Sequence, residues 1–180
     1  TKKLIIITGP SGVGKGTVVR DILKRNKNLW LSISATTRSP RKGEIEGVDY
    51  YFLTKTRFKK MIDEQLFLEW AEFAGNFYGT PLSSIREKIE NGFKVILEIE
   101  VEGANQVRVK FPNSLSIFLL PPNKKELEKR IRDRGTDNEA SILNRLERAD
   151  FEISASTSFD FQVTNNSVDQ TVKEILEIIS

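Results

Sequence analysis

The stretch Gly9-Pro10-Ser11-Gly12-Val13-Gly14-Lys15 follows an apolar, β-branched run at 4–8 and leads into a helical pattern at 17–25. A glycine-rich turn that ends in lysine between a strand and a helix is the phosphate-binding loop of nucleotide-binding α/β proteins. Its glycines let the backbone wrap an oxyanion with several N–H groups turned inward, and the helix N-terminus adds its partial positive charge. Lys15 is then placed to bridge the β- and γ-phosphates of a nucleoside triphosphate. The candidate triphosphate contacts are Gly9, Pro10, Ser11, Gly12, Val13, Gly14, Lys15, Gly16 and Thr17. Position 16 departs from the usual pattern. A Ser or Thr hydroxyl normally reaches Mg²⁺ there, whereas this chain has glycine, so the ion is expected to be held mainly by nucleotide phosphates and water.

This loop demands a parallel sheet, and the rest of the chain supplies one. Runs rich in β-branched residues recur at 4–8, 29–34, 93–99, 115–120 and 161–164, with helical patterns such as 168–179 between most of them. Strands alternating with helices predict an α/β fold, here a three-layer P-loop kinase core with a parallel sheet. At 180 residues the chain suits one domain. Two stretches break the rhythm. A polar loop at 38–49 carrying Gly43 and Gly47 precedes short strand-like pieces at 50–53, 67–73 and 75–78, with helical patterns at 56–65 and 82–91. After Pro121-Pro122 comes an arginine-rich helical stretch. The expected division is a core of 1–33, 81–120 and 149–180, a small acceptor-binding region at 34–80, and a mobile lid at 121–148.

The chain has no cysteine and no histidine. Disulfides, thiolate metal sites and the commonest general base are therefore excluded. What remains is lysine, arginine, carboxylates, hydroxyls, backbone amides and hard metal ions, a set suited to phosphoryl transfer. A net charge of +3 without a dense basic, aromatic-studded patch argues against a nucleic acid polymer as partner. The longest apolar runs, 4–7 and 117–120, are far short of the ~20 residues of a membrane span. With no leader pattern at Thr1-Lys2-Lys3, a cytoplasmic protein is expected, with no membrane and no obligatory protein partner.

Beyond the loop, Arg38 and Arg41 lie three apart in a polar segment and can grip a second phosphate by charge-assisted, bidentate bonds. Glu98 and Glu100 alternate with apolar residues at the carboxyl end of the run at 94–99, where ligands of open parallel sheets lie. Several further stretches carry a resemblance: Ser34-Ala35-Thr36-Thr37-Arg38-Ser39-Pro40-Arg41, Gly43-Glu44, Gly47-Val48-Asp49-Tyr50-Tyr51-Phe52, Glu69-Trp70-Ala71, Gly75-Asn76-Phe77-Tyr78-Gly79-Thr80, Ile99-Glu100-Val101-Glu102-Gly103, and 130–145. In this order and spacing, together with the loop at 9–17, they resemble the guanylate kinase family over essentially the whole chain.

The resemblance implies ATP and GMP as substrates, dGMP as a further acceptor, and Mg²⁺ as cofactor. It implies that Arg38, Arg41, Tyr50 and Tyr78 hold the GMP phosphate. Guanine offers N1–H and N2–H₂ donors along one edge, which an ionised carboxylate can accept together; adenine presents an acceptor at N1 instead. Glu69 looks like that reader, with Ser34 on the remaining edge and Thr80 nearby. Glu98 matches an acidic position near the metal, acting through water, and Glu100 one that helps hold guanine. At 100 many relatives carry Asp, and at 102 many carry Gln. Arg130, Arg134 and Arg145 occupy the family's donor-phosphate positions, and Asn165 is a candidate for touching adenine. Lys15, Arg38, Arg130, Arg134 and Arg145 would carry catalysis. Two other readings stand beside this one: a kinase for another nucleoside monophosphate, against which Glu69 argues, and a kinase-like protein-interaction module, against which the retained Gly9, Gly12, Gly14 and Lys15 argue.

Overall fold

The protein is described by a computed structural model covering residues 2–133, 135 and 138–180. Strand β1 (Leu4–Thr8) is buried at every position, as a central strand of a sheet covered on both faces must be. It pairs in parallel with β7 (Lys94–Glu98) on one side and β8 (Leu115–Leu120) on the other. Strands β2 (Leu29–Leu31) and β9 (Phe161–Thr164) complete a parallel sheet of order β2-β7-β1-β8-β9. Alternate residues of β1 serve opposite faces. Ile5 and Ile7 pack with Val18, Val19 and Ile22 of helix α1 (Lys15–Arg25) and with Val172 and Ile175 of α7 (Val168–Ile179). Leu4 and Ile6 pack with Ile85 of α3 (Leu82–Glu90) and with Ala104 and Val107 of α4 (Val101–Lys110). The expected three-layer α/β core is the one found.

The periodicity did not point to α4, whose buried face includes the small residues Gly103 and Ala104 beside Val101 and Val107. Small residues weaken an amphipathic pattern while allowing close packing. The apolar run at 29–34 is also not one strand. The backbone leaves the main sheet after Leu31, with the Ser32 N–H donating to the Ile96 carbonyl, and re-forms as β3 (Ala35–Thr36) in a second sheet. That sheet has the order β4-β3-β6-β5, with β4 at Tyr51–Phe52, β5 at Phe67–Phe73 and β6 at Asn76–Pro81. Its own small core forms where Phe58 of α2 (Lys55–Asp63) stacks on Phe67 at 4.4 Å and on Phe77 at 5.5 Å.

Two further helices, α5 (Lys124–Arg132) and α6 (Glu139–Ser154), are capped by Asn123 and Asn138, whose side chains accept from the N–H groups of Glu126 and Ser141. They share a satellite cluster of Leu127, Ile131, Ile142, Leu146 and Ala149. Helix α6 runs without a break through position 148, where the sequence suggested a boundary. Among the described residues, no helix is long and apolar enough to cross a membrane.

Candidate active site

The loop at 9–14 joins β1 to α1 at the carboxyl end of the sheet. A β-carbon on Gly9 would stand 2.6 Å from the Leu119 carbonyl oxygen, and Gly14 adopts φ +100° at the helix entry. Side chains thus cannot replace these glycines without moving backbone or entering strained conformations. The Lys15 ammonium donates to the Gly9 carbonyl at 2.7 Å and lies 3.6 Å from Glu100 Oε1. Arg130 donates to the carbonyls of Val13 at 3.1 Å and Asn165 at 3.4 Å, while Glu126 accepts from its Nε at 3.1 Å. Arg145 donates to Ser11 Oγ at 2.6 Å. Three cations from α1, α5 and α6 therefore meet on one loop. Arg134 lies outside the described residues.

Asn165 directly follows β9 and lies against the loop. It is buried, its amide N–H donates to the Val13 carbonyl at 2.8 Å, and its oxygen accepts from Thr171 Oγ1 at 3.0 Å. These two bonds tie the loop to α7 and leave one amide hydrogen and one oxygen lone pair of Asn165 for a further partner.

In the second sheet, Arg38 makes an end-on bidentate pair with Glu44, through Nη1 to Oε2 at 3.0 Å and Nη2 to Oε1 at 2.8 Å; Nη1 also donates to the Ser39 carbonyl at 2.7 Å. A hydrogen bond to Glu44, with a smaller contribution from one to Tyr78, holds the Arg38 guanidinium above its ordinary pKa against the opposing effect of burial. The guanidinium lies 5.3 Å from the Tyr50 ring centroid, and the Tyr50 and Tyr78 rings meet edge-on at 6.3 Å. Hydrogen bonds from Arg38 and from the Arg41 backbone hold the Glu44 carboxyl below the usual carboxylate range. Arg41 contributes its backbone N–H to Glu44 at 2.7 Å, while its side chain is exposed. Glu44 was visible in the sequence only as part of a motif; its role as the brace of Arg38 depends on how the loop folds back.

Glu69 is 6% exposed. A shift in the β5–β6 register between Phe67 and Glu69 breaks the alternation of faces, so Phe67, Leu68 and Glu69 are all buried in succession. Thr80, fully buried, donates its hydroxyl to Glu69 Oε1 at 2.6 Å. Burial pushes the Glu69 carboxyl above the usual range; the Thr80 hydrogen bond and the charge of Lys110 pull it down, and Glu102 pushes it up. Ser34 sits half-buried where the chain passes between sheets, its carbonyl accepting from the Tyr51 N–H at 2.9 Å.

Glu98 ends β7 beside Ile7. Its Oε1 lies 3.6 Å from the point that a β-carbon on Gly16 would occupy. Burial raises its pKa, Lys15 and Arg20 lower it, and Glu100 raises it. Glu100 does not continue the alternation expected from the sequence, because the strand stops at Glu98 and Glu100 is the N-cap residue of α4. Its carboxylate is largely exposed and turns to Lys15. Sequence reasoning also passed over Arg148 of α6, which donates to the buried Glu152 at 2.9 Å and lies 4.6 Å from the ring centroid of Phe73, at the end of β5. The helix that carries Arg145 thus touches the hairpin that carries Glu69. No local pattern reveals that contact.

The site can therefore be compared with those of known proteins. The family model described as guanylate kinase matches residues 1–180. A guanylate kinase of Prochlorococcus marinus (strain MIT 9312) is 67% identical over 178 residues, covering 99% of this chain and 97% of that protein. One from Synechocystis sp. is 51% identical over 177 residues, covering 98% and 93%. The crystal structure of guanylate kinase from Anaplasma phagocytophilum superposes with a TM-score of 0.79 at 32% identity, covering 98% of this chain and 83% of that one. Shikimate kinase from Bacteroides thetaiotaomicron shares the fold, with a TM-score of 0.55 at 12% identity.

Proposed function

The chain belongs to the guanylate kinase family, and we infer that it transfers the γ-phosphoryl group of ATP to GMP, with dGMP as a further acceptor. One observation carries the reading of the acceptor side. Tyr78 and Thr80 are two apart on β6, so both project from one face, about 7 Å apart along the strand. Tyr78 belongs to the Arg38 cluster and Thr80 anchors Glu69. A nucleotide lying along the strand meets a phosphate grip at one end and a base-reading carboxylate at the other.

The reaction asks for no general base. The acceptor phosphate, with a second pKa near ~6, is largely a dianion at neutral pH and already carries the attacking oxygen. Arg38, with the hydroxyls of Tyr50 and Tyr78, would orient it. Lys15, Arg130 and Arg145 would receive the charge that spreads over the equatorial oxygens of the transferring group. The acceptor region at 34–80 and the arm at 121–148 would close on the two nucleotides and exclude water.

The residues present fit Mg²⁺ of one kind: an ion held chiefly by nucleotide oxygens and water. Among the described residues no cluster of three or more His, Cys, Asp or Glu side chains is arranged to hold a metal. Gly16 offers no hydroxyl, and the half-buried Glu98 carboxylate faces it. Glu98 would orient water on the ion; bound there, Mg²⁺ neutralises the β- and γ-oxygens. Glu98→Gln is expected to raise the Mg²⁺ concentration needed for half-maximal rate. A titration indistinguishable from the parent's would remove Glu98 from this role.

The division into two grips is tested on Arg38. Arg38→Ala is expected to raise the KM for GMP roughly tenfold to a hundredfold, the loss of a charge-assisted pair of bonds, while ATP binding measured by calorimetry stays near the parent's. Equal weakening of ATP and GMP would contradict the assignment of Arg38 to the acceptor side.

A further inference from the structure

Glu69 stands hard against the first turn of α4. Thr80 holds Oε1; the other oxygen, Oε2, lies 2.5 Å from where a β-carbon on Gly103 would sit, with Cδ at 3.0 Å and Cγ at 3.5 Å. Real β-carbons do not tolerate such an approach, so a side chain at 103 and the present carboxylate cannot coexist. Gly103 lies within a helix and shows no left-handed backbone angle. The helix itself therefore gains nothing from glycine, which is a poorer helix former than alanine. The neighbours on that face, Val101, Ala104 and Val107, are packed against the core in the ordinary way. What the missing side chain makes room for is the carboxylate.

We propose that Gly103 is a specificity-determining residue for the acceptor base: its bare α-carbon is the seat that holds both oxygens of Glu69 in line for two donors. This rests on the reading of Glu69 as the partner of guanine N1–H and N2–H₂. The atom that must give way to a methyl group is the tip of a flexible side chain rather than backbone, so the fold absorbs the change and the carboxylate does not. Turned away, it leaves Thr80, and the two acceptor oxygens no longer match the spacing of the guanine edge. Hypoxanthine keeps N1–H and lacks the N2 amine, so preference for GMP over IMP reads the alignment of both oxygens at once.

The test compares parent, Gly103→Ala and Glu69→Gln by steady-state kinetics with GMP, IMP and ATP, and by thermal melting. For Gly103→Ala the expected result is a KM for GMP raised about tenfold or more, as for a misaligned charge-assisted contact. The GMP-to-IMP ratio of kcat/KM should shrink, the KM for ATP should hold, and melting should stay cooperative, since the helix gain from alanine offsets the loss of the Thr80 bond. Parent-like GMP kinetics in Gly103→Ala, with Glu69→Gln impaired, would overturn the proposal alone. Parent-like kinetics in Glu69→Gln would overturn the reading of Glu69 and this inference with it. A lowered melting temperature with loss of both nucleotides would make Gly103 a packing residue and also overturn it.

Discussion

Lys15→Ala is expected to lower kcat by about two to three orders of magnitude, the scale on which removal of one preorganised electrostatic contact acts on a transition state, with GMP binding unchanged. The lysine side chain is largely buried and its ammonium rests on the loop's own Gly9 carbonyl at 2.7 Å, beside Glu100 at 3.6 Å. It is thus held at the mouth of the loop, within reach of the place the triphosphate must take. Removing it has two effects on the donor side. The transferring group loses a cation, and Glu98 and Glu100 lose the charge that offsets theirs, which makes the site more hostile to a polyphosphate. In the second sheet, Arg38 is braced by Glu44 and Glu69 by Thr80, bonds in which Lys15 has no part. Calorimetric titration of the variant with GMP checks this directly. A loss of GMP affinity comparable to the loss of rate would show that the two grips are not separate.

Glu69→Gln is expected to weaken use of GMP by about 1–3 kcal/mol, which is roughly tenfold to a hundredfold in kcat/KM. An amide has one acceptor oxygen where the carboxylate has two, and it turns an NH₂ toward an edge that already consists of donors. The change is buried, so water cannot compensate for the mismatch. The pH dependence supplies a second readout. Because burial raises the pKa of Glu69, and the proposed contact with guanine needs the ionised form, affinity for GMP is expected to be lost on acidification at a higher pH than an ordinary carboxylate would give. Lys110 and Thr80 oppose the shift and Glu102 adds to it, so the net direction is upward. The Gln variant should lack that limb and keep only the limb due to protonation of the nucleotide phosphate. A parent and variant with the same acid limb would assign it to the phosphate alone.

The sequence was most legible where structure is local. The loop at 9–15 is contiguous, its glycines and lysine stand at fixed offsets, and the strand before it and helix after it could be recognised from adjacent patterns. The parallel sheet was legible for the same reason, since its strands are short continuous apolar runs. What stayed hidden depends on how distant parts meet. The run at 29–34 gave no sign that the chain changes sheets within it, because both sheets want buried apolar residues. Glu98 and Glu100 look equivalent by alternation, yet the strand ends between them: Glu98 is half-buried and faces Gly16, while Glu100 caps α4 with its carboxylate exposed beside Lys15. The bond from Asn165 to the Val13 carbonyl joins residues 152 apart and has no local signal. Glu69 was singled out from its motif, but its burial comes from a register shift that no side-chain pattern announces. Gly103 is the plainest case. In sequence it closes the motif at 99–103, where the periodicity did not point to a helix, and the approach of a carboxylate from another element is what shows the space its missing side chain leaves.

The union of the proposed guanine-reading site with the phosphate-transfer loop is tested most directly by ADP release coupled to a chromogenic readout, with Mg²⁺ and ATP fixed and GMP, AMP, CMP and UMP offered in turn. The predicted result is rapid turnover with GMP and rates far lower with the other three, since among these bases only guanine presents the two adjacent donors that Glu69 is proposed to read. Equal rates with AMP and GMP would contradict it.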